Sequence, residues 1–367
     1  ATDIRFQDTE SNLRILEQCP SLSTFKQTAW LRNANLAFLA LLAWDAAGDR
    51  YRRLVRRESL PTLDGGVIAL DWWEDGPDAA RWDKVLLVGS TFTGDALATA
   101  AREVCQHFSA RGWRCVVMVK RGCGRTMPNA QPRSAATPWC IGGHADFEQA
   151  VDHIARVCPG SPICGVGLST GGGQLRSYLN ILGERSKLAA GVVVDAPHSS
   201  GALLSMDRRL PFVAKALAIA GHDALQRCGL GPAPAVGDAP PASAPTPEIL
   251  PGGLVSFVRD ELAPRHGYKQ TDADALRYLR RCQPADSATC RRPTLELLTL
   301  DDQLISLEEA EQLREYWRKS PFVVTAATAQ GTHVVRWEGL RPRCWISRVA
   351  AEFLEASLSG AAGGEAR

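Results

Sequence analysis

Short apolar runs alternate with amphipathic stretches along most of this chain, and that alternation leaves few folds open. Val67 to Trp73, Lys84 to Val88 (KVLLV), Trp113 to Val119 (WRCVVMV), Pro162 to Val166 and Ala189 to Val194 read as strands. Asp95 to Ser109, Asp146 to Cys158 and Gly172 to Leu182 read as helices between them. In the second helix Phe147, Ala150, Val151 and Ile154 fall on one face. Strands that are apolar on both sides need cover on both sides. The pattern predicts an α/β fold, a mostly parallel central sheet flanked by helices.

The alternation then lapses. Leu203 to Leu230 and Leu254 to Arg281 read as mostly helical, around a Pro/Ala-rich loop at 229–251. Sheet logic resumes at Thr294 to Leu300, followed by helix Leu307 to Arg318, strand Phe322 to Ala327 and a closing helix, Ser347 to Leu358. The expected organisation has four parts. Residues 1–60 form an N-terminal helical extension packed on the core, and 61–198 the first part of the core. Residues 199–292 form a helical cap or lid insertion after the sixth core strand, and 293–367 complete the core. An insertion there sits over the carboxyl ends of the strands, where such sheets bind ligands.

Composition removes several function classes. Forty-two basic residues against forty acidic ones give a net charge of +2, with no basic stripe for nucleic acid. Eleven scattered cysteines in a chain this long read as reduced core filler, which places the protein inside the cell, cytoplasmic or membrane-associated. Cys123 is the exception, a turn thiol that is either structural or reactive. No C-x-x-C, H-E-x-x-H or phosphate-loop pattern occurs, so neither metal nor cofactor is expected. Leu36 to Trp44 is the longest apolar stretch, and it falls short of the about 20 residues a spanning helix needs. It reads as a buried or interfacial helix, with a peripheral membrane contact as the alternative. The chain opens at Ala1 without a signal peptide; an anchor before it is left open, as is the oligomeric state.

Gly167-Leu168-Ser169-Thr170-Gly171 matches G-x-S-x-G, the nucleophile elbow. A strand-to-helix turn that sharp tolerates only small residues two positions either side of the serine. The serine hydroxyl then stands at a helix N-terminus, where the Thr170 N–H can stabilise an oxyanion. The pattern alone is weak in a chain with 32 glycines. The apolar strand before it and the helix after it supply the context the motif requires.

A nucleophilic serine needs a base and a group to orient that base, and in this setting the chain order is serine, acid, histidine. Asp301 and Asp302 follow a late strand, and His333 is the only histidine beyond them. Asp195, at the end of an earlier strand, is the fallback acid. The second oxyanion donor is expected in the turn after Lys84 to Val88, with the Ser90 N–H as candidate. Leu203, Leu204, Phe212, Val213, Leu217 and Ile219 are candidate lining of an acyl pocket. Two other readings compete. Gly165-x-Gly167 with Asp195 mimics a dinucleotide-binding oxidoreductase, although Thr170 occupies the third glycine position. A non-catalytic protein of the same fold that binds a ligand is the other.

These pieces resemble the YheT-like branch of the α/β-hydrolase-domain lipases and esterases. Thr62-Leu63-Asp64-Gly65-Gly66 and Leu70-Asp71-Trp72 are similar to its T-x-D-G-G and L-D-W opening. Arg121-Gly122-Cys123 is similar to its R-G-C turn, and Gly167 to Gly172 to its G-x-S-x-G-G. Phe257 to Asp260 with Gly267-Tyr268-Lys269, Pro293-Thr294-Leu295 leading to Asp301-Asp302, and His333-Val334 continue the likeness. The resemblance implies an α/β-hydrolase fold and a carboxylic-ester hydrolase with no cofactor. The triad would be Ser169, Asp302 and His333, Asp302 being preferred because the family's acid precedes a proline. The implied substrates are acyl lipids or medium-chain esters. Four positions depart from the family: Gln303 for that proline, Thr332 for the glycine before the histidine, Val88 for a histidine, and Thr170 for an apolar residue.

Overall fold

A computed structural model of the protein describes residues 2–362, apart from 75–81, 125–126, 128, 130–137, 198–199, 228–251 and 281–288. The Pro/Ala-rich loop expected at 229–251 therefore lies outside the described residues.

Nine strands form one sheet: β1 (Asp3–Arg5), β2 (Val55–Pro61), β3 (Val67–Trp73), β4 (Lys84–Gly89), β5 (Trp113–Val119), β6 (Ile163–Leu168), β7 (Leu188–Val194), β8 (Thr294–Thr299) and β9 (Val323–Thr328). Their order is β1-β9-β8-β7-β6-β4-β5-β3-β2. Strands β4 to β9 run parallel, while β2 and β3 join antiparallel at one edge and β1 at the other. This is the α/β-hydrolase fold, and the expected mostly parallel sheet is observed.

Eleven helices are described: α1 (Glu10–Glu17), α2 (Ala34–Ala46), α3 (Thr99–Ser109), α4 (Ala145–Val157), α5 (Thr170–Leu182), α6 (Ser200–Arg209), α7 (Pro211–Arg227), α8 (Leu254–Phe257), α9 (Asp272–Arg280), α10 (Leu307–Trp317) and α11 (Trp345–Ala362). The two-residue period of the strands sorts the core. Leu86 and Val88 pack with α1, α2, α3 and α11, whereas Val85 and Leu87 pack with α4, α5 and α10. A third apolar cluster joins α6 to α9 to Phe92, Cys123, Trp139 and Ile141. The helices α6 to α9 lie between β7 and β8 in sequence, where the helical insertion was expected.

The N-terminal segment differs from expectation. Residues 1–60 are not only helical, because they contribute both edge strands, β1 and β2. The physical reason is that edge strands need no continuous apolar run. Val-Arg-Arg-Glu-Ser-Leu-Pro is half exposed, and it ends in a proline that an edge tolerates. The stretch expected as one helix from Leu254 is also broken. Pro264 interrupts it and Gly267, at φ 84°, turns it before α9 begins.

Candidate active site

Ser169 stands between β6 and α5 with φ 53° and ψ −119°. A non-glycine residue held there costs on the order of 1–3 kcal/mol, so its surroundings must impose it. Its N–H donates to the Val194 carbonyl at 2.9 Å, and its carbonyl accepts the Gly173 N–H at 3.1 Å. A Cβ on Gly167 would strike Gly171 and Gly172, and one on Gly171 would strike the backbone of Gly89 and Ser90. The elbow thus closes only with glycine at both positions.

His333 Nε2 lies 2.8 Å from Ser169 Oγ, and its Nδ1 lies 2.8 Å from Asp302 Oδ2. Asp302 Oδ1 accepts the N–H groups of Leu304 at 2.6 Å and Ile305 at 3.0 Å, which anchors the carboxylate. With the carboxylate as acceptor, Nδ1 carries the imidazole proton and Nε2 is free to accept one from the serine. Burial alone would lower the His333 pKa. The Asp302 charge and hydrogen bond, with Asp195 behind them, more than offset this and hold it above the ordinary imidazole value.

The two alternative acids are engaged elsewhere. Asp301 accepts the Thr299 hydroxyl at 3.0 Å. Asp195 is fully buried and binds Arg336 through both oxygens, at 2.6 and 2.9 Å. The same carboxylate accepts the N–H of Val334 at 2.9 Å and of Thr299 at 3.0 Å. Val334 sits at φ 59°, an unfavourable place for a β-branched residue. Asp195 therefore clamps the backbone immediately after His333. It has no oxygen left for a nucleotide ribose, which removes the main support for the dinucleotide reading. Asp195, Asp302 and His333 bring potential ligand atoms within 4.8 Å of one another. Those atoms already bond to one another's neighbours, so the cluster is accounted for without a metal.

Two departures from the family pattern prove to be partners. The Thr332 hydroxyl donates to Gln303 Oε1 at 2.9 Å, and the His333 N–H approaches the same oxygen at 3.4 Å. Gln303 thus ties the loop that carries Asp302 to the loop that carries His333.

The turn after β4 is held by its carbonyls. Lys120 Nζ donates to Ser90 O at 2.5 Å and to Thr91 O at 2.9 Å. The Cys123 thiol donates to Phe92 O at 3.5 Å, and the Gly124 N–H to Thr93 O at 3.1 Å. Cys123 is fully buried, which makes it a structural turn residue rather than an accessible thiol. Burial pulls the Lys120 ammonium down to about 8.

A cavity of about 710 Å³ reaches Ser169 and His333. Thr91 to Asp95, α2 and α7 wall it, with Phe212, Val213, Leu217 and Ile219 among its lining. A smaller pocket of about 50 Å³ also touches Ser169 and His333, between Phe92, Thr170, Leu203 and Leu254. Ser90 and Leu204 border neither cavity, whereas Phe92 and Thr170 border the second. Sequence reading missed Lys120 and Arg336. Lys120 closes the apolar run CVVMVK and Arg336 interrupts HVVRW, each the one charge in an otherwise apolar stretch, and that was the available signal.

No family model matches the chain. It is similar to phospholipase ABHD3 of Mus musculus, 28% identical over 198 residues, which is 49% of this chain and 44% of that one. It is 30% identical over 149 residues to the embryogenesis-associated protein EMB8 of Picea glauca, covering 39% of this chain and 32% of that one. The match thus spans less than half the length of these relatives. Among solved structures, a membrane phospholipase A described as a bacterial virulence factor superposes with a TM-score of 0.50 at 14% identity, over 88% of this chain and 93% of that one. The sheet order and the structural likeness show the α/β-hydrolase fold, and over about half of its length the chain is similar in sequence to α/β-hydrolase-domain proteins such as ABHD3.

Proposed function

We propose that the protein is a serine hydrolase of carboxylic esters, with acyl lipids or medium-chain esters as substrates. One observation carries the reading: a continuous Ser169–His333–Asp302 chain of 2.8 Å links at the end of a cavity of about 710 Å³ with a largely apolar lining. Relatives named phospholipase point to the same chemistry. A near-neutral chain fits an uncharged ester recognised by burial.

In this reading His333 takes the Ser169 proton as Oγ attacks the ester carbonyl. The Thr170 N–H is one oxyanion donor. The second comes from the turn after β4. Ser90 remains a candidate, and Phe92 is favoured because it borders the pocket beside Ser169. The alcohol leaves with the proton from His333. Water, activated by His333, then releases the acid from the acyl-enzyme. Residues 199–292 act as the cap and supply much of the acyl pocket. The YheT-like subdivision rests on the motifs alone.

A fluorophosphonate probe should label the wild-type protein and leave Ser169→Ala unlabelled. Hydrolysis of p-nitrophenyl esters should fall by about 10⁴-fold or more in the same variant. Full esterase activity in Ser169→Ala would overturn the proposal. Absence of labelling in the folded wild type would favour a ligand-binding protein of the same fold.

A further inference from the structure

The helix α2 has an unusual surface. Its sequence, ANLAFLALLAWDA, is apolar all the way round, yet only Ala37 and Leu41 are buried. A helix of that composition is expected inside a core. Here Leu36, Leu39 and Leu42 are 53, 60 and 40% exposed, and Trp30 just before the helix is 56% exposed. Across the cavity, α7 presents Phe212 at 89% and Ile219 at 60% exposure. Leu42, Phe212 and Ile219 are also cavity lining, so the path to Ser169 opens on this apolar face.

Charge surrounds the face instead of crossing it. Residues 26–53 hold five basic side chains (Lys26, Arg32, Arg50, Arg52 and Arg53) against two acidic ones, Asp45 and Asp49. That local excess of three exceeds the net +2 of the whole chain. All five basic residues are exposed and bracket α2 at its two ends. Asp45 is spent on the α3 amide of Thr99, at 2.6 Å. An apolar helix with cations at both ends matches a bilayer surface. Leucines enter the acyl region while guanidinium and ammonium groups meet anionic headgroups. Among the described residues no helix is long and apolar enough to cross a membrane, so the contact lies in the plane of the surface.

We infer that α2, Trp30 and the exposed side of α7 dock the protein on an anionic lipid surface. The mouth of the Ser169 cavity then faces the lipid, and an acyl chain enters without crossing water. The entry route rests on the proposed ester hydrolysis; the docking itself does not.

The test separates the two. Ser169→Ala protein is floated with vesicles of phosphatidylcholine, and with vesicles containing 30 mol% phosphatidylglycerol, an experimental choice of about one anionic lipid in three. Binding is expected to the second, at least tenfold weaker to the first, and to weaken with salt. Leu36→Glu/Leu39→Glu changes two residues outside the cavity lining. On the Ser169→Ala background it should lose at least tenfold in vesicle binding. With Ser169 intact, it should lose hydrolysis of vesicle phospholipid but keep that of a soluble short-chain ester. Circular dichroism checks that the helices remain. Wild-type-like flotation of the double variant, or no flotation of its parent, overturns the docking surface. So does a concentration-dependent dimer that the same variant dissolves, because the face would then belong to a second copy. Flotation without any ester hydrolysis would sink the proposed activity and leave the docking intact.

Discussion

At the scale of single residues, His333, the proposed base, is held by side chains that a motif search passes over. Gln303 and Thr332 count as two separate departures in the sequence, and only the fold makes them one contact. Thr332 is fully buried. Gln303→Pro should leave its hydroxyl unpaired, at a cost of about 1–3 kcal/mol, and should loosen the His333 loop. Adding Thr332→Gly should recover at least about 1 kcal/mol of that loss in urea midpoints, and part of kcat, because the orphaned group is gone. Strictly additive effects in that double-mutant cycle would show that the pair does not couple.

Arg336 and Asp195 bear on His333 through charge. General-base action requires neutral His333, and its pKa is raised. Activity should therefore fall as pH drops through a value above about 6.5, the ordinary imidazole value. Asp195→Asn removes a charge that raises the pKa and leaves Arg336, which lowers it, so the acid limb of kcat/KM should move to lower pH. Arg336→Met should move it to higher pH. Loss of structure alone would not shift the two limbs in opposite directions. Ser169 and His333 were legible from strand-end position and chain order, whereas Asp302 was preferred to Asp301 only through the family resemblance. Arg336 was not legible, since its meaning depends on Asp195, 141 positions away.

At the scale of elements, several motifs that carry the family likeness are joints of the scaffold. Arg121 follows β5. It reaches Asp64 in the turn between β2 and β3 at 2.7 Å, and Asp146 in the first turn of α4 at 2.6 Å. Thr62 supplies a further hydrogen bond to Asp64, at 2.6 Å. The T-x-D-G-G and R-G-C patterns are thus two halves of one contact. A Cβ on Gly66 would collide with the Arg121 guanidinium, which explains that glycine. The Arg121 and Asp146 side chains are only 6 and 10% exposed. Arg121→Ala strands a buried carboxylate and should destabilise the fold by about 3–5 kcal/mol, read from urea unfolding.

The Arg121 hydrogen bond holds Asp64 down at about 2, against an ordinary 3.8. A depressed carboxyl stabilises the fold above its unfolded pKa and loses that contribution as pH falls through its folded one. The stability gap between wild type and Asp64→Asn should therefore be constant above about pH 5 and close towards pH 2. A gap independent of pH would mean that Asp64 acts by shape and not by charge. Interior strands such as β4, β5 and β6 were readable because burial on both faces leaves an unbroken apolar run. Edge strands β1 and β2 were not, because one side of each meets solvent or a side chain and the run is broken by charge.

At the scale of the whole molecule, the cavity belongs to no single segment. The turn after β4 forms its floor, α2 from the N-terminal segment one wall, and α7 from the insertion the other. The fold brings together residues 38 to 45, 91 to 100 and 212 to 227 around Ser169. No local pattern announces such a volume. The sequence could only suggest that some helices would line it. If acyl chains lie between α2 and α7, depth there sets chain length, independently of the triad. Ala220 on α7 lines the cavity and is half-buried. Ala220→Phe fills the space with a ring and leaves Ser169, His333 and Asp302 untouched. Its kcat/KM for an acetyl ester should stay within about threefold of wild type, while that for a long-chain ester should fall at least tenfold, about 1.4 kcal/mol of transition-state binding. The optimum of a p-nitrophenyl ester series should then move to shorter acids. An unchanged chain-length profile would mean that the acyl group lies elsewhere, and the small pocket beside Thr170 and Leu203 would become the place to test next.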